Sequence, residues 1–254
     1  MPHVWRPRTS WMIALCLLAS PGAFASDGVA TKTRAPKQQS STTTPVARPG
    51  EWWAKRQDQI NDNVRKGDAQ LLMIGDSITQ GWEGKGAREV WQKYYGNRHA
   101  VNLGISGDQT QHVLWRLEHG NIDGIHPKVA VLMIGTNNSG GNTPEQIAAG
   151  VKAIVEKLRS NLPATKVLVL AIFPRGANPD NRNRKVNEAA NERIAKLADN
   201  QNVFYLDIGK KFLKEDGTLP KEIMPDFLHP GAQGYEIWAS SIEPTVARLM
   251  AEKE

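Results

Sequence analysis

At 254 residues and 40% hydrophobic content, the chain carries enough apolar side chain to bury a full core, most simply as one domain. Its formal charge of +6 is unevenly placed: residues 1–50 hold six Lys or Arg and one Asp, leaving 26 basic against 25 acidic residues from Glu51 onward. The part expected to fold is therefore nearly neutral, which excludes a basic surface as an argument for nucleic-acid binding.

The amino terminus has the form of a secretory signal. Arg6 and Arg8 precede an apolar run from Trp11 to Ala19, and Ala23-Phe24-Ala25 supplies a small-x-small cleavage site. The run is too short for a permanent membrane span. Cleavage after Ala25 removes Cys16, the only cysteine, so a mature chain would have neither disulfides nor a thiolate metal site. Residues 1–25 are thus read as a signal peptide directing export to the periplasm or the cell exterior. Residues 26–50, rich in Ser, Thr, Pro, Gln and Lys without apolar periodicity, are read as a disordered linker, and residues 51–254 as the folded domain.

In the domain, Trp53, Ile60 and Val64 can share one face of a helix from Glu51 to about Arg65. The Trp52-Trp53 pair suits a sugar-stacking platform or, more commonly, core packing. Five apolar segments follow: Gln70–Asp76, Ala100–Ile105, Val129–Gly135, Lys166–Phe173 and Val203–Ile208. Near-continuous apolar character suits strands covered on both faces, as in a parallel sheet. Between them, Thr110–His119, Pro144–Ser160 and Lys185–Asn200 have helical spacing, with Thr143 placed to cap and Pro144 at the first helical position. A last helix is expected from near Ala232 to Ala251, bent or interrupted at Pro244. Alternating βα units of this kind build a doubly wound α/β/α sandwich, here a flavodoxin-like five-stranded parallel sheet. Architecture alone does not give function.

The strand ends carry the chemistry. The first strand runs into Gly75-Asp76-Ser77-Ile78, a turn where Ser77 is either a helix cap or a nucleophile. The second ends in Asn102-Leu103-Gly104-Ile105-Ser106-Gly107-Asp108, and the third in Gly135-Thr136-Asn137-Asn138. Near the carboxyl end, Asp226-Phe227-Leu228-His229 sets a carboxylate three residues from an imidazole. There is no His-Glu-x-x-His, no Cys cluster, no Gly-x-Gly-x-x-Gly and no P-loop, so neither a metal nor a nucleotide cofactor is expected. Thr79 occupies the last position of what would be a Gly-x-Ser-x-Gly elbow, which argues against an α/β-hydrolase fold.

Gly75-Asp76-Ser77-Ile78, Gly104, Gly135-Thr136-Asn137 and Asp226-x-x-His229 together resemble the four blocks of the SGNH hydrolases, the GDSL-type esterases and lipases. Gly107 to Leu117, Gly135 to Asn138 and Phe173 to Gly176 look like the catalytic subunits of intracellular platelet-activating factor acetylhydrolase. The resemblance runs from about Trp52 to Met250. It implies Ser77 as nucleophile, His229 as base and Asp226 as the group that orients the imidazole. It assigns the oxyanion hole to the backbone N–H of Ser77, the backbone N–H of Gly104 and the Asn137 side-chain amide. Glycine at 104 would let substrate approach the backbone. The implied substrate is a small-molecule or carbohydrate acyl ester with O-acetyl groups first, and the resembling subunits dimerise, which suggests a homodimer.

Other residues have alternative duties. Asp76 is expected to bond within its turn, and Asn138 is the alternative to Asn137. His112 and His119 suit surface or capping roles, while His99 and His126 flank strands without an acidic partner at an informative spacing. Asp108 suits the site mouth or an Asx turn, and Arg175 suits a structural ion pair or the pocket wall. Two readings besides a short-chain esterase follow: a phospholipid acetylhydrolase or lysophospholipase-type lipase, and a non-catalytic carbohydrate-binding module on the same scaffold.

Overall fold

The computed structural model describes residues 41–251; the signal-peptide expectation for residues 1–25 lies outside them. Five short strands form one sheet: β1 (Leu71–Gly75), β2 (Ala100–Gly104), β3 (Val129–Met133), β4 (Lys166–Leu170) and β5 (Val203–Leu206). All pairings are parallel and the order is β2-β1-β3-β4-β5. This is the doubly wound order, whose direction of winding reverses between β1 and β3. The residues beyond those two strands are Ser77 and Asn137, so topology alone brings them to the same crevice.

Side chains alternate across a strand, and here both faces are covered. Leu72 and Ile74 of β1, Ala130 and Leu132 of β3, and Val167 and Val169 of β4 face one core. That core is closed by α1 (Glu51–Val64), α4 (Thr110–Leu117), α5 (Pro144–Asn161) and α6 (Arg182–Ile194). Leu71 and Met73, Val131 and Met133, and Leu168 and Leu170 face the other core. It is closed by α3 (Ala87–Tyr95) and α7 (Ala232–Ala251), with the Trp82 ring in contact with those of Tyr95, Tyr235 and Trp238. Each fully buried Leu, Ile or Val contributes roughly 1.5–3 kcal/mol, so the two cores carry the stability without any disulfide.

Local signals set the helix ends. The Thr143 hydroxyl accepts from Gln146 N at 3.3 Å and the Gln146 side chain returns a bond to Thr143 N at 3.0 Å, a reciprocal cap ahead of Pro144. Asn181 caps α6, which starts at Arg182 and ends at Ile194, earlier at both ends than its spacing suggests. Helix α7 continues through Pro244 as one element. Helix α3 was not expected at all. Its apolar positions at Ala87, Val90, Trp91, Tyr94 and Tyr95 hold the helical period, but only Ala87, Val90 and Tyr95 are buried.

Two further differences matter. Trp52 and Trp53 separate: Trp53 is in the core and Trp52 is 49% exposed. Residues 41–50, expected in the linker, lie against the domain. Thr42 is fully buried, its hydroxyl donates to Gln146 O at 2.7 Å, and its carbonyl accepts from Thr110 Oγ1 at 2.9 Å. Residues 41–50 are thus part of the folded domain, held by polar bonds that apolar periodicity could not reveal. At the opposite sheet edge from β5, the carbonyls of Asn102 and Gly104 on β2 accept from Arg56 at 3.5 and 3.2 Å, and Glu83 grips the same guanidinium at 3.0 and 2.6 Å. No helix among the described residues is long and apolar enough to cross a membrane.

Candidate active site

Ser77 is the first residue of the short helix α2 (Ser77–Gln80), immediately beyond β1. Asp76 caps that helix, its Oδ1 accepting from Ile78 N at 3.0 Å. The expected bond within the turn is present, and it leaves Ser77 N–H at the first helical position with no acceptor among the described residues.

His229 and Asp226 arrive together on the turn before α7. Ser77 Oγ lies 2.9 Å from His229 Nε2, and His229 Nδ1 lies 2.6 Å from Asp226 Oδ2. Asp226 Oδ1 also accepts from His229 N at 2.7 Å and Leu228 N at 3.0 Å, so one carboxylate shapes the turn and orients the ring. Burial pulls the Asp226 pKa up, but the His229 ring N–H and these two backbone N–H groups outweigh it, and the carboxyl sits below its ordinary value. An ionised Asp226 accepts a hydrogen bond from Nδ1–H, which keeps the proton on that nitrogen and leaves Nε2 the basic nitrogen facing Ser77. Phe227, between the pair, has φ of +60°, a costly conformation for a side-chain-bearing residue. It is fixed by Phe227 N donating to Met224 O at 2.9 Å and Gly176 N donating to Phe227 O at 2.8 Å.

The third group is Asn137, in the turn after β3. Its Nδ2 donates to Asp108 O at 2.9 Å and to Asp76 Oδ2 at 3.3 Å; the longer bond is the more easily exchanged for a ligand oxygen. Asn138 is excluded from that task. It is fully buried, with Oδ1 accepting from Thr110 N and Nδ2 donating to Gln111 and Asn142.

Gly104 does not occupy the position expected of it. Its N–H donates to Asn102 Oδ1 at 2.8 Å, and a Cβ there would lie 2.1 Å from Gln80 N and 2.6 Å from the Thr79 carbonyl carbon. The glycine lets β2 pass against α2, and no room for a substrate is involved. Three residues on, Gly107 has φ of +75° and an N–H with no acceptor among the described residues. Its neighbour Asp108 supplies the carbonyl that holds Asn137. Of the two glycines in this loop, Gly107 is therefore the one whose N–H is left unengaged.

Asp108, expected at the mouth or in an Asx turn, is fully buried and works as a hub. Its carboxylate accepts from Trp53 Nε1 and Arg116 Nε, both at 2.8 Å, and pairs with Arg48 Nη1 at 3.4 Å. Arg116, also fully buried, donates further to Asn121 Oδ1 at 2.5 Å and to Gly75 O at 3.2 Å. Burial lowers its pKa and Asp108 offsets that. This network ties the carbonyl two residues before Ser77 to the loop bearing Gly107, and no spacing rule in the sequence exposed it. Asp76 is buried without such a partner; burial, with Asp108 nearby, pushes its pKa up to about 7 against the opposing Ile78 N–H and His229.

The remaining candidates are structural. Arg175 bonds the carbonyl and hydroxyl of Thr136 at 2.9 and 3.2 Å and forms no ion pair among the described residues, so it braces the Asn137 turn. His112 caps α4 through Gln109 N, and burial lowers its pKa to about 4. His119 stacks on Trp115 with ring centroids 3.7 Å apart, His99 meets Asp68 at 3.0 Å, and His126 is exposed.

A cleft of about 250 Å³ opens beside Ser77 and His229, walled by Gly81, Gly84, Ala87, Gly231, Ala232 and Tyr235 with Lys85 at its side. A larger cleft of about 420 Å³ runs along β2 between Trp91 and His99 and contains none of the reacting groups.

A hydroxyl, an imidazole and a carboxylate in hydrogen-bonded series, beside amides without acceptors, is the arrangement by which serine hydrolases transfer acyl groups. The chain belongs to the GDSL-like lipase/acylhydrolase family, whose model matches residues 73–237, and it is a carboxylic ester hydrolase. The human platelet-activating factor acetylhydrolase IB subunit alpha1 is 35% identical over 222 residues, covering 86% of this chain and 93% of the relative. A GDSL-like lipase from Bacteroides thetaiotaomicron superposes with a TM-score of 0.62 at 19% identity, covering 77% of this chain and 98% of that one. An acetylxylan esterase from Geobacillus stearothermophilus does so with a TM-score of 0.56 at 20% identity, covering 72% and 94%.

Proposed function

We propose that this protein is an exported serine esterase that hydrolyses short acyl esters, O-acetyl groups first, through an acyl-enzyme on Ser77. The observation that carries the reading is the row Ser77 Oγ to His229 Nε2 at 2.9 Å and His229 Nδ1 to Asp226 Oδ2 at 2.6 Å. His229 takes the Ser77 proton as Oγ attacks the ester carbonyl. The imidazolium, held by Asp226, then gives that proton to the departing alcohol. Water repeats the sequence on the acyl-enzyme and releases the acid. The oxyanion is received by the N–H groups of Ser77 and Gly107 and by Asn137 Nδ2, donors that follow the carboxyl ends of β1, β2 and β3.

Two things support a small acyl group: the Gly- and Ala-walled cleft of about 250 Å³, and the acetyl esters named in relatives and neighbours, a platelet-activating factor acetylhydrolase subunit and an acetylxylan esterase. The first is the observation behind preferring an acetylesterase to a long-chain lipase. Export rests on the signal-like residues 1–25, and a homodimer rests on the resemblance alone; light scattering of the purified chain tests the latter. The deciding experiment is covalent labelling with a fluorophosphonate followed by peptide mapping, alongside hydrolysis of 4-nitrophenyl esters of two to twelve carbons. Labelling at Ser77, activity lost in Ser77→Ala, and preference for two to four carbons are expected. Activity retained in Ser77→Ala overturns the mechanism, and preference for eight carbons or more overturns the substrate class.

A further inference from the structure

The segment preceding α1 reaches the catalytic end of the sheet. Thr42 is buried against α4 and α5, and Val46 N donates to Gln111 O at 3.2 Å. Arg48 then sets its guanidinium on the loop after β2. Its Nη1 donates to Ser106 O at 2.5 Å and lies 3.4 Å from Asp108 Oδ1. A Cβ on Gly107 would lie 3.0 Å from Arg48 Nη1 and 3.1 Å from Nη2, so the guanidinium lies flat against this glycine. Trp52, from the first turn of α1, covers the cation with its ring centroid 5.3 Å from Cζ.

We propose that Arg48 is a positioning residue of the oxyanion hole, holding Ser106, Gly107 and Asp108 so that Gly107 N–H faces the developing oxyanion. The proposal rests on the reading of Ser77, Gly107 and Asn137 given above. Its physical basis is the loop's conformation. Gly107 sits at positive φ, a state that glycine leaves at little steric cost, so something outside the loop must choose it. The carbonyl before it and the carboxylate after it both accept from the same guanidinium nitrogen, Nη1, which constrains the Ser106–Gly107 peptide that carries the donor and the side chain that follows it. Asp108 O in turn holds Asn137 Nδ2, so a shift of the loop reaches two of the three donors together. Arg48 also lies outside the residues matched by the family model, 73–237, so this chain supplies part of its catalytic geometry from the segment that its composition marks as a linker.

The test uses the full chain, its Arg48→Ala and Arg48→Lys variants, and each in an Asn137→Ala background, with 4-nitrophenyl acetate. Removing one oxyanion donor costs about 10²–10³ in kcat, and a displaced donor that still makes partial contact should cost about tenfold. Arg48→Ala is expected to lower kcat by about that factor per fluorophosphonate-titrated site, with KM within about twofold. Arg48→Lys, which keeps a donor toward Ser106 O, should recover part of the loss. Because the loop positions both donors, Gly107 directly and Asn137 through the Asp108 carbonyl, Arg48→Ala and Asn137→Ala together should cost less than the product of their separate factors. Unchanged kcat in Arg48→Ala, a loss that vanishes on normalising to titrated sites, or strictly multiplicative losses overturns the proposal. The underlying site reading fails separately, through activity retained in Ser77→Ala.

Discussion

Arg116→Met removes the cation from the buried hub while keeping most of its side-chain length. Asp108 is left with Trp53 Nε1 at 2.8 Å and Arg48 Nη1 at 3.4 Å, while Asn121 Oδ1 and Gly75 O each lose a donor. Both members of the pair are fully buried, so solvent cannot compensate. Removing one partner of such a pair costs about 3–5 kcal/mol, a large part of the roughly 5–15 kcal/mol that holds a domain folded. For a domain of this size each kcal/mol lowers Tm by about 2–4 °C, so a fall of roughly 6–20 °C is expected. Urea unfolding followed by tryptophan fluorescence reads it directly, since Trp53 bonds Asp108 and packs 5.3 Å from Trp115. The companion variant Asp108→Asn/Arg116→Met removes the stranded charge as well and should be more stable than Arg116→Met alone. A loss below about 1 kcal/mol in Arg116→Met, or a double variant less stable than the single, refutes the account of Asp108 and Arg116 as a desolvated, mutually dependent pair.

Asp226→Asn keeps the turn-forming Oδ1 contacts but cannot hold the imidazolium, and kcat for 4-nitrophenyl acetate should fall by about 10⁴ near neutral pH; a loss under tenfold would place the orienting group elsewhere. Gly104→Ala drives a methyl to 2.1 Å from Gln80 N and 2.6 Å from the Thr79 carbonyl carbon, both backbone atoms. It should destabilise the domain by about 1–3 kcal/mol or more in a melt, and near-normal stability would show that β2 and α2 can separate. Asp76→Asn tests the buried carboxyl whose pKa is raised to about 7. The native fold favours the protonated form, so the stability Asp76 contributes is full below about pH 4 and is lost as pH rises toward 7. The difference in unfolding free energy between Asp76→Asn and the parent should therefore move in the variant's favour across that window and level off above it; a difference flat from pH 4 to 8 removes the claim.

Much of this was legible from residue order. Apolar runs gave the five strands, Thr143-Pro144 placed the start of α5, and Ser77, Asn137, Asp226 and His229, each an ordinary turn residue taken singly, stood out only together, through their resemblance to the blocks of one hydrolase family. That the Gly104 N–H, expected in the oxyanion hole, is already engaged was not legible. Its acceptor is the side chain of Asn102, two residues back. Helix α3 escaped although its apolar positions keep the helical period, because it is only nine residues long and its face is only partly buried. Residues 41–50 escaped because they bind through Thr42 and Arg48, and polar contacts leave no periodic trace. The Asp108–Arg116 pair was hidden for the opposite reason: charged residues normally read as surface, and burial depends on a partner eight positions away.

The clamp of Arg56 on β2 has a consequence for how this protein behaves among copies of itself. An outer strand offers a row of carbonyls to any extended chain that comes alongside. On β2 two of those carbonyls are already engaged by a guanidinium that Glu83 holds in place. An arriving strand must first break a paired cation away from its carboxylate, so growth of the sheet into a neighbouring molecule is opposed at that edge. A chain that folds with its neighbours nearby gains from this a margin against aggregation that its cores alone would not provide.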